Sequence, residues 1–597
     1  MNSTQRNKSA EKKNTSLLFR IISLAFPYKS LFYSSIFLSL FLAPISIIRP
    51  YLVQVTVDDF IVKENFWGLH YMILILCFFL FIEAILSYLF TYVTGLLGQS
   101  IIKDLRIKVF SYILQKRVTY FDQTPVGNST TRTISDIETI NTVFSEGVIT
   151  IVSDILTMIF VLGIMLYSSW SLTLVCLITL PFLLWSSYWF KEAVKKSFEQ
   201  IRSQVSIMNS FLQERISGMK IVQIFNAEKQ EMDKFKIINK KYTEANVKSI
   251  FYYAVFFPIV EILSAASLGL MVWYGAGEIM RNELSIGVLV AFPLYLGMLF
   301  RPVRMLADKF NSLQMGMVAA NRVFELIDNQ KENQKNGNLQ IQSLQGKIEF
   351  KDVYFTYQLD LEDDKQPNWT LEQISFELSP GKSLAIIGST GAGKSSIINI
   401  LNRFYEISKG EIRIDDYKLQ EIEIGSLRKR MAVVLQDVFL FSGTIMENIT
   451  LRDPFITEEK VIAAAKAIGA DTFILKLPGT YNYQVMERGA TLSMGQRQMI
   501  SFVRALVRDP DILILDEATS SVDPESEQMI QNAIIKLTEK RTSLIIAHRL
   551  STISQVNEIL ILEKGKIIEK GSPEILLSQS DGYYKKMIEA YQLKEIG

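Results

Sequence analysis

Cysteine and histidine are nearly missing from this chain, with two of each in 597 residues. Cys77 and Cys176 both lie inside apolar runs, without metal-ligand spacing or a case for a disulfide. They read as small hydrophobes. Charge of one sign is missing too. The 63 Lys and Arg against 61 Asp and Glu leave +2, which removes the electrostatic case for nucleic acid. No cleavable signal pattern opens the chain. Met1 to Ser16 is polar and lysine-rich, has no small-residue cleavage site, and reads as a disordered cytoplasmic tail.

What is present is apolar residue in long runs. Hydrophobic residues make up 49% of the chain, mean hydropathy is +0.20, and the runs are confined to the first 305 residues. A chain this long exceeds a single core. Six stretches of about 20 or more apolar residues, near 31–55, 69–97, 146–168, 171–190, 250–275 and 284–304, predict membrane spans. Residues 17–28 carry Leu17, Leu18, Ile21, Ile22, Ala25 and Phe26 on one helical face. They fit a short surface helix or an extension of the first span. The links between spans alternate. Residues 56–68, 169–170 and 276–283 are short and acid-biased, whereas 98–145 and 191–249 are long, basic near the spans and helically periodic. Basic residues near span ends mark the cytoplasmic side, so the long links, both termini and everything after the sixth span are expected there. The long links are expected to continue the span helices roughly 35–40 Å into the cytosol. They turn at Tyr120–Gly127 and at Leu212–Asn226, where Phe121, Ile221 and Phe225 suit seats on a second domain.

Trp67, Trp170 and Trp273 fall at outer ends and Trp185 and Trp189 near an inner one, as interfacial anchors do. Pro44, Pro181, Pro258 and Pro293 lie within spans and can kink them. Span centres hold almost no charge. Glu261 is the clearest exception and fits either a cavity-lining carboxylate or a pair with a basic residue at the inner interface. Phe251, Tyr252, Tyr253, Phe256, Phe257, Phe292, Tyr295 and Phe300 predict an apolar, aromatic chamber, unless those rings face lipid.

The second half is organised around Gly388-Ser-Thr-Gly-Ala-Gly-Lys-Ser395, a complete G-x-x-x-x-G-K-[ST] match between a buried-type strand, Ser383–Ile387, and a helical run from Ser396 to Phe404. Glycines at 388, 391 and 393 let the backbone approach a phosphate chain, and the helix adds its positive end. Lys394 then reaches the β/γ-phosphates and Ser395 ligates Mg²⁺. Asp511–Glu517 is an apolar strand ending in two carboxylates. Placed beside the P-loop strand, it lets Asp516 hold Mg²⁺ through water and Glu517 orient or deprotonate the attacking water. Ser543–Ala547 is a further parallel-type strand that delivers His548 to its end, while His70 is incidental. Strands are also expected at Lys347–Phe350 and Val353–Tyr357. Leu492-Ser-Met-Gly-Gln496, followed by a helix from Arg497 to Val507, makes a second phosphate-binding surface far from the P-loop in sequence. Two anion-binding helix ends, one hydrolytic carboxylate and one membrane domain are as far as the residues alone reach.

In this ordered set the chain resembles ATP-binding cassette (ABC) half-transporters of the exporter type, over nearly its whole length. The resemblance implies a multidomain membrane protein: an all-α six-helix transmembrane domain at 17–325, a linker at 326–345 and an α/β P-loop ATPase domain at 346–597, after the tail at 1–16. It makes Tyr357 the adenine-stacking aromatic, and Gly388, Ser389, Thr390, Gly391, Ala392, Gly393, Lys394, Ser395 and Ser396 the nucleotide-binding loop. Gln436 becomes the Q-loop contact to Mg²⁺, shared with Ser395 and Asp516. Glu487-Arg-Gly489 matches the exporter X-loop, and Ser493, Gly495 and Gln496 match the signature. Asp523 belongs to the D-loop. Glu517 and His548 are the catalytic carboxylate and switch histidine, with Gln436 beside them.

The cofactors implied are ATP and Mg²⁺. The partner implied is a second half-transporter, because in the family the signature of one subunit closes over ATP on the other. Met494 departs from the usual glycine of the signature. Either it is tolerated, in a homodimer, which is placed first, or it marks one subunit of a heterodimer. The activity implied is ATP-driven efflux of small hydrophobic, amphipathic or lipid-like substrates across the plasma membrane, with membrane lipid as a further partner. An importer, or a non-transporting ATP-gated regulator on the same scaffold, is the alternative.

Overall fold

The computed structural model describes residues 17–329, 336–357, 368–516, 524–547, 553–579 and 581–596. The predicted tail at 1–16, residues 330–335 of the predicted linker and residues 358–367 lie outside the described set. The chain forms two compact units. One is Met1–Gln115 with Thr124–Gln330, and the other is Lys116–Gln123 with Lys331–Gly597.

The first unit is helical. Among the described residues, six stretches are long and apolar enough to cross a membrane: Phe26–Ile61, Phe66–Leu114, Ile149–Ser168, Trp170–Ser217, Glu228–Met280 and Ile286–Val303, in the places the apolar runs predict. The helices in chain order are α1 (Lys29–Val55) and α2 (Phe66–Leu114), then α3 (Val118–Gln123), which groups with the other unit. They continue with α4 (Val126–Thr133), α5 (Ser135–Thr142), α6 (Ile149–Ser168) and α7 (Trp170–Leu177). The last four are α8 (Leu180–Ser217), α9 (Met219–Ile224), α10 (Glu228–Met280) and α11 (Ile286–Asp328). The helices do run past any bilayer, since α10 with its 53 residues is about 80 Å long against roughly 30 Å of hydrocarbon. The returning half of the first long link is different. It is broken into α4, α5 and a π-helical turn at Val143–Val148. Thr130, Thr131 and Thr133 donate their hydroxyls to carbonyls four residues back, a habit that bends helices, and the break falls at Ile134.

At the opposite end of the unit, Asp58 accepts from the Ser285 hydroxyl at 2.7 Å and from the Gly287 N–H at 2.7 Å. This caps the first turn of α11, where negative charge is favoured. Gly316 on α11 marks a tight crossing, because a Cβ there would lie 1.9 Å from Val143 Cγ2 and 3.2 Å from the Thr139 carbonyl. Gly316→Ala is therefore expected to cost about 1–3 kcal/mol, read as a lower melting temperature of the detergent-purified protein. An unchanged melting temperature would show that the crossing can open freely.

One sequence-based expectation changes here. Phe256, Phe292, Tyr295 and Phe300 are at most 3% exposed and form the core between helices, with Phe190 stacked on Phe256 at 4.0 Å. They do not line a chamber. Phe251 and Phe257 remain exposed. Periodicity marks an apolar face but not what covers it. Glu261 lies on the exposed surface. Two other charges within predicted spans are more telling: Glu83 faces Arg49 at 3.9 Å, and Asp154 pairs with Lys309. Charges at this depth require such partners.

The second unit is α/β. Its strands are β1 (Ile348–Phe355), β2 (Leu371–Leu378), β3 (Ser383–Gly388), β4 (Lys409–Ile414), β5 (Tyr417–Lys418) and β6 (Met431–Val434). Then come β7 (Gly443–Thr444), β8 (Gln484–Val485), β9 (Ile512–Asp516), β10 (Thr542–Ile546), β11 (Glu558–Glu563) and β12 (Lys566–Gly571). One sheet has the order β12-β11-β3-β10-β9-β6, and a second has β2-β1-β4-β5. The neighbours from β11 to β6 are parallel and nearly continuous in buried Val, Ile and Leu, as strands covered on both faces are.

The two strands expected at 347–357 are one strand, β1, with an irregularity between Phe350 and Val353. There Asp352 takes a φ of 45°. The strand ending in Asp516 is not next to the P-loop strand. β10 lies between them, with Ile386 opposite Ile546 and Ile546 opposite Asp516. All three are apolar parallel strands, so the sequence carries no mark of which one sits in the middle.

Candidate functional site

The loop from Gly388 to Ser395 joins β3 to helix α12 (Lys394–Leu401). Its backbone explains its glycines. A Cβ on Gly388 would meet the Leu562 carbonyl of neighbouring β11 at 2.3 Å. At Gly393 the φ is +102°, and a Cβ would stand 2.6 Å from a Leu371 methyl. Ser389, Thr390 and Gly391 form the exposed crest, while Ala392 and Gly393 are buried below it. The Lys394 side chain is buried under the loop and its Nζ donates to the carbonyls of Gly388 at 2.7 Å and Ser389 at 3.0 Å. Burial lowers the pKa of this ammonium, and the Asp516 charge acts the other way. Two strand spacings separate β3 from β9, about 10 Å, so lysine and carboxylate face one site at the C-terminal edge of the sheet.

Ser395 is exposed in the first turn of α12, while Ser396 is buried. Ser396 Oγ lies 3.1 Å from Tyr357 Oη, and Asn399 Nδ2 donates to the same phenol oxygen at 3.2 Å. Tyr357 thus stands on the P-loop helix and is 44% exposed. Asn399, and Tyr405 beyond it, join the site without a motif to mark them in the sequence. Their only signal was a polar and an aromatic residue near the P-loop helix, which looks the same as ordinary core.

The signature residues lie elsewhere in the unit. Ser493 is the N-cap of α13 (Met494–Leu506), in a capping box with Gln496. Its hydroxyl oxygen accepts from the Gln496 N–H at 3.2 Å, and Gln496 Oε1 accepts from the Ser493 N–H at 3.0 Å, so the cap leaves the Ser493 hydroxyl proton unused. The helix starts one turn earlier than the sequence suggested, because the capping box and not the first arginine sets its end. Gly495 is buried and Met494 is 38% exposed. Gln436 follows β6, three places from β3 in the sheet, and lines a cleft of about 340 Å³ with Arg488, Met494 and Arg497. One unit therefore presents two separate surfaces, with Tyr357, the P-loop and Asp516 at one and the capped start of the signature helix at the other.

Glu517, Ser521, Asp523 and His548 lie outside the described residues. Glu517 directly follows the end of β9, and His548 comes two residues after β10. Among the described residues no cluster of three or more His, Cys, Asp or Glu is set to hold a metal. An exposed serine hydroxyl and a carboxylate around a phosphate site are nonetheless the sparse oxygen set that suits Mg²⁺, which keeps waters and takes phosphate oxygens.

Comparison with known proteins matches this layout. Residues 32–303 match the ABC transporter transmembrane region family, and residues 371–520 match the ABC transporter family. The ABC transporter ATP-binding protein YknV of Bacillus subtilis, itself uncharacterized, is 36% identical over 97% of this chain and 95% of its own length. An ATP-dependent lipid A-core flippase of Desulfotalea psychrophila is 32% identical over 96% of this chain and 98% of its own. The solved structure of a bacterial Atm1-family ABC exporter with ATP bound superposes with a TM-score of 0.79 at 27% identity, covering 94% of this chain and 98% of that one. A six-helix membrane domain fused to a P-loop ATPase domain, matched end to end by such relatives, makes this chain a member of the ABC transporter family: a multi-pass, ATP-hydrolysing half-transporter of the exporter type, which acts with a second half-transporter.

Proposed function

We propose that two copies of this chain form a homodimer in the plasma membrane, with the nucleotide units cytoplasmic, and export amphipathic or lipid-like molecules by alternating access. The observation that carries this reading is the division of each nucleotide unit into two phosphate surfaces. ATP on the P-loop of one copy is completed by Ser493 and the Gly495 amide of the other. Exposed apolar surface supports a second copy as well. Ile221, Ile224 and Phe225, on and just after α9, are 59%, 63% and 74% exposed, more than a cytosolic helix leaves bare without a partner.

In this reading residues 17–325 form the transmembrane domain and 346–597 the nucleotide domain. Tyr357 stacks on adenine, and the N–H groups of the P-loop crest and α12 hold the phosphates. Lys394 bridges the β/γ-phosphates. Ser395, Asp516 and Gln436 would hold Mg²⁺, which supplies charge neutralisation on the phosphate oxygens. Glu517 orients and deprotonates the attacking water, His548 senses the γ-phosphate, and Asp523 belongs to the D-loop. Binding closes the two nucleotide units and hydrolysis reopens them. For the cargo, the support is the flippase named above and the apolar surfaces of the six spans. Exposed Trp67, Trp170, Trp185 and Trp273 suit headgroup depth.

The test uses inside-out vesicles containing the purified chain alone and a headgroup-labelled fluorescent phosphatidylethanolamine. ATP is expected to speed movement of the probe from the outer to the inner leaflet several-fold over a no-ATP control. ATP-driven movement the other way would indicate import. Hydrolysis without any movement of the probe would remove lipid-like cargo from the reading.

A further inference from the structure

We propose that Tyr405 is a positioning residue of the nucleotide site, tying the ring of Tyr357 to helix α3 so that nucleotide binding and the placement of α3 are linked. The proposal rests on Tyr357 being the adenine-stacking residue. That ring is held from three directions. Its phenol oxygen is bonded to Ser396 and Asn399 of α12. The Phe355 ring stands nearly perpendicular to it, with centroids 4.7 Å apart and planes at 78°, and so does the Tyr405 ring, at 4.9 Å and 87°. Edge-to-face contacts of this kind set ring orientation as well as position.

Tyr405 is itself fixed at its other end. Its O–H donates to Asp122 Oδ2. Burial first, and the Asp122 carboxylate second, push this phenol well above its ordinary pKa, so it stays a donor throughout the working range. Asp122 lies in α3, the eight-residue excursion Lys116–Gln123 that groups with the nucleotide unit while the chain on both sides belongs to the membrane unit. The path from an adenine ring to α3 is therefore two aromatic rings and one charge-assisted hydrogen bond. From Gln115 the same backbone runs directly into α2, a helix that continues unbroken to Phe66. By linkage, if nucleotide restrains α3, then loosening α3 must weaken nucleotide binding by the same factor.

Tyr405→Phe isolates the hydrogen bond, because it keeps the ring that packs on Tyr357. The measurement is hydrogen exchange of peptides covering residues 116–124 in the full-length protein in lipid nanodiscs, with and without a non-hydrolysable ATP analogue. In the wild type the analogue is expected to slow exchange there at least threefold. Tyr405→Phe and Asp122→Asn should each abolish that difference, and the double variant should do no more than either single one. A purely structural Tyr405 would lower the melting temperature yet leave the analogue-dependent difference intact, and that result overturns the proposal. So does an analogue that leaves exchange at 116–124 unchanged in the wild type. Tyr357→Ala separates the underlying reading, since it should weaken analogue binding at least tenfold in a direct titration. Unchanged binding there removes Tyr357 from the adenine site and takes the proposal with it, whereas weakened binding with full protection in Tyr405→Phe overturns the linkage alone.

Discussion

Glu517→Gln is expected to cut ATP turnover by about 10²–10⁴-fold, the usual weight of a general base, while ATP still binds. The amide keeps the size of the carboxylate but cannot take a proton from water. The neighbouring Asp516, at the end of β9, stays in place to serve the metal. On the proposed cycle, in which hydrolysis reopens the nucleotide units, this variant should accumulate with both units closed on ATP, read as nucleotide that stays bound through gel filtration of the detergent-purified dimer. Turnover close to wild type would take Glu517 out of the base role. A monomer that holds ATP and magnesium and still hydrolyses at full rate would dismantle the shared site altogether. The same preparation bears on Met494. If the wild-type chain purified alone hydrolyses ATP, the thioether is tolerated at that signature position. Activity that appears only with a different second subunit would make it the mark of a heterodimer.

Lys394→Ala is expected to weaken ATP binding by about 3 kcal/mol, on the order of a hundredfold, through loss of charge-assisted hydrogen bonds to phosphate. Hydrolysis should fall below detection. The ammonium is pre-placed, because its two carbonyl partners, Gly388 and Ser389, belong to the loop that receives the phosphates. The fold itself should barely respond. Removing the side chain forfeits two hydrogen bonds but also relieves the burial penalty that lowers the Lys394 pKa, so the two effects oppose each other. Lys394→Arg should not rescue binding, since the planar guanidinium does not fit a slot shaped for a point charge. The check is a direct ATP titration beside a melting curve. Unaltered affinity, or a collapse in melting temperature, would assign Lys394 a structural role in place of the phosphate contact.

Much of this protein is legible in one dimension because the physics involved is local. A span is a run of apolar residues longer than the bilayer needs. A P-loop is a set of glycines whose backbone geometry no other residue adopts easily, and Gly393 with its left-handed φ shows that requirement directly. The capping box at Ser493 and Gln496 is likewise written in residues three apart. These features name the family and locate the chemistry without any knowledge of packing.

Tertiary structure alone decided which apolar faces are covered and which parallel strand lies between two others. It buried Phe256, Phe292, Tyr295 and Phe300 in a helix core where periodicity allowed a chamber. It inserted β10 between the P-loop strand and the strand of Asp516. It set Glu83 opposite Arg49 on the preceding helix, and Asp154 opposite Lys309, which is 155 residues further on. It also placed Asp122, nearly 300 residues away, against Tyr405. Each of these depends on neighbours brought in from far along the chain, and strands or helices of equal hydrophobicity carry no label saying which of them will meet.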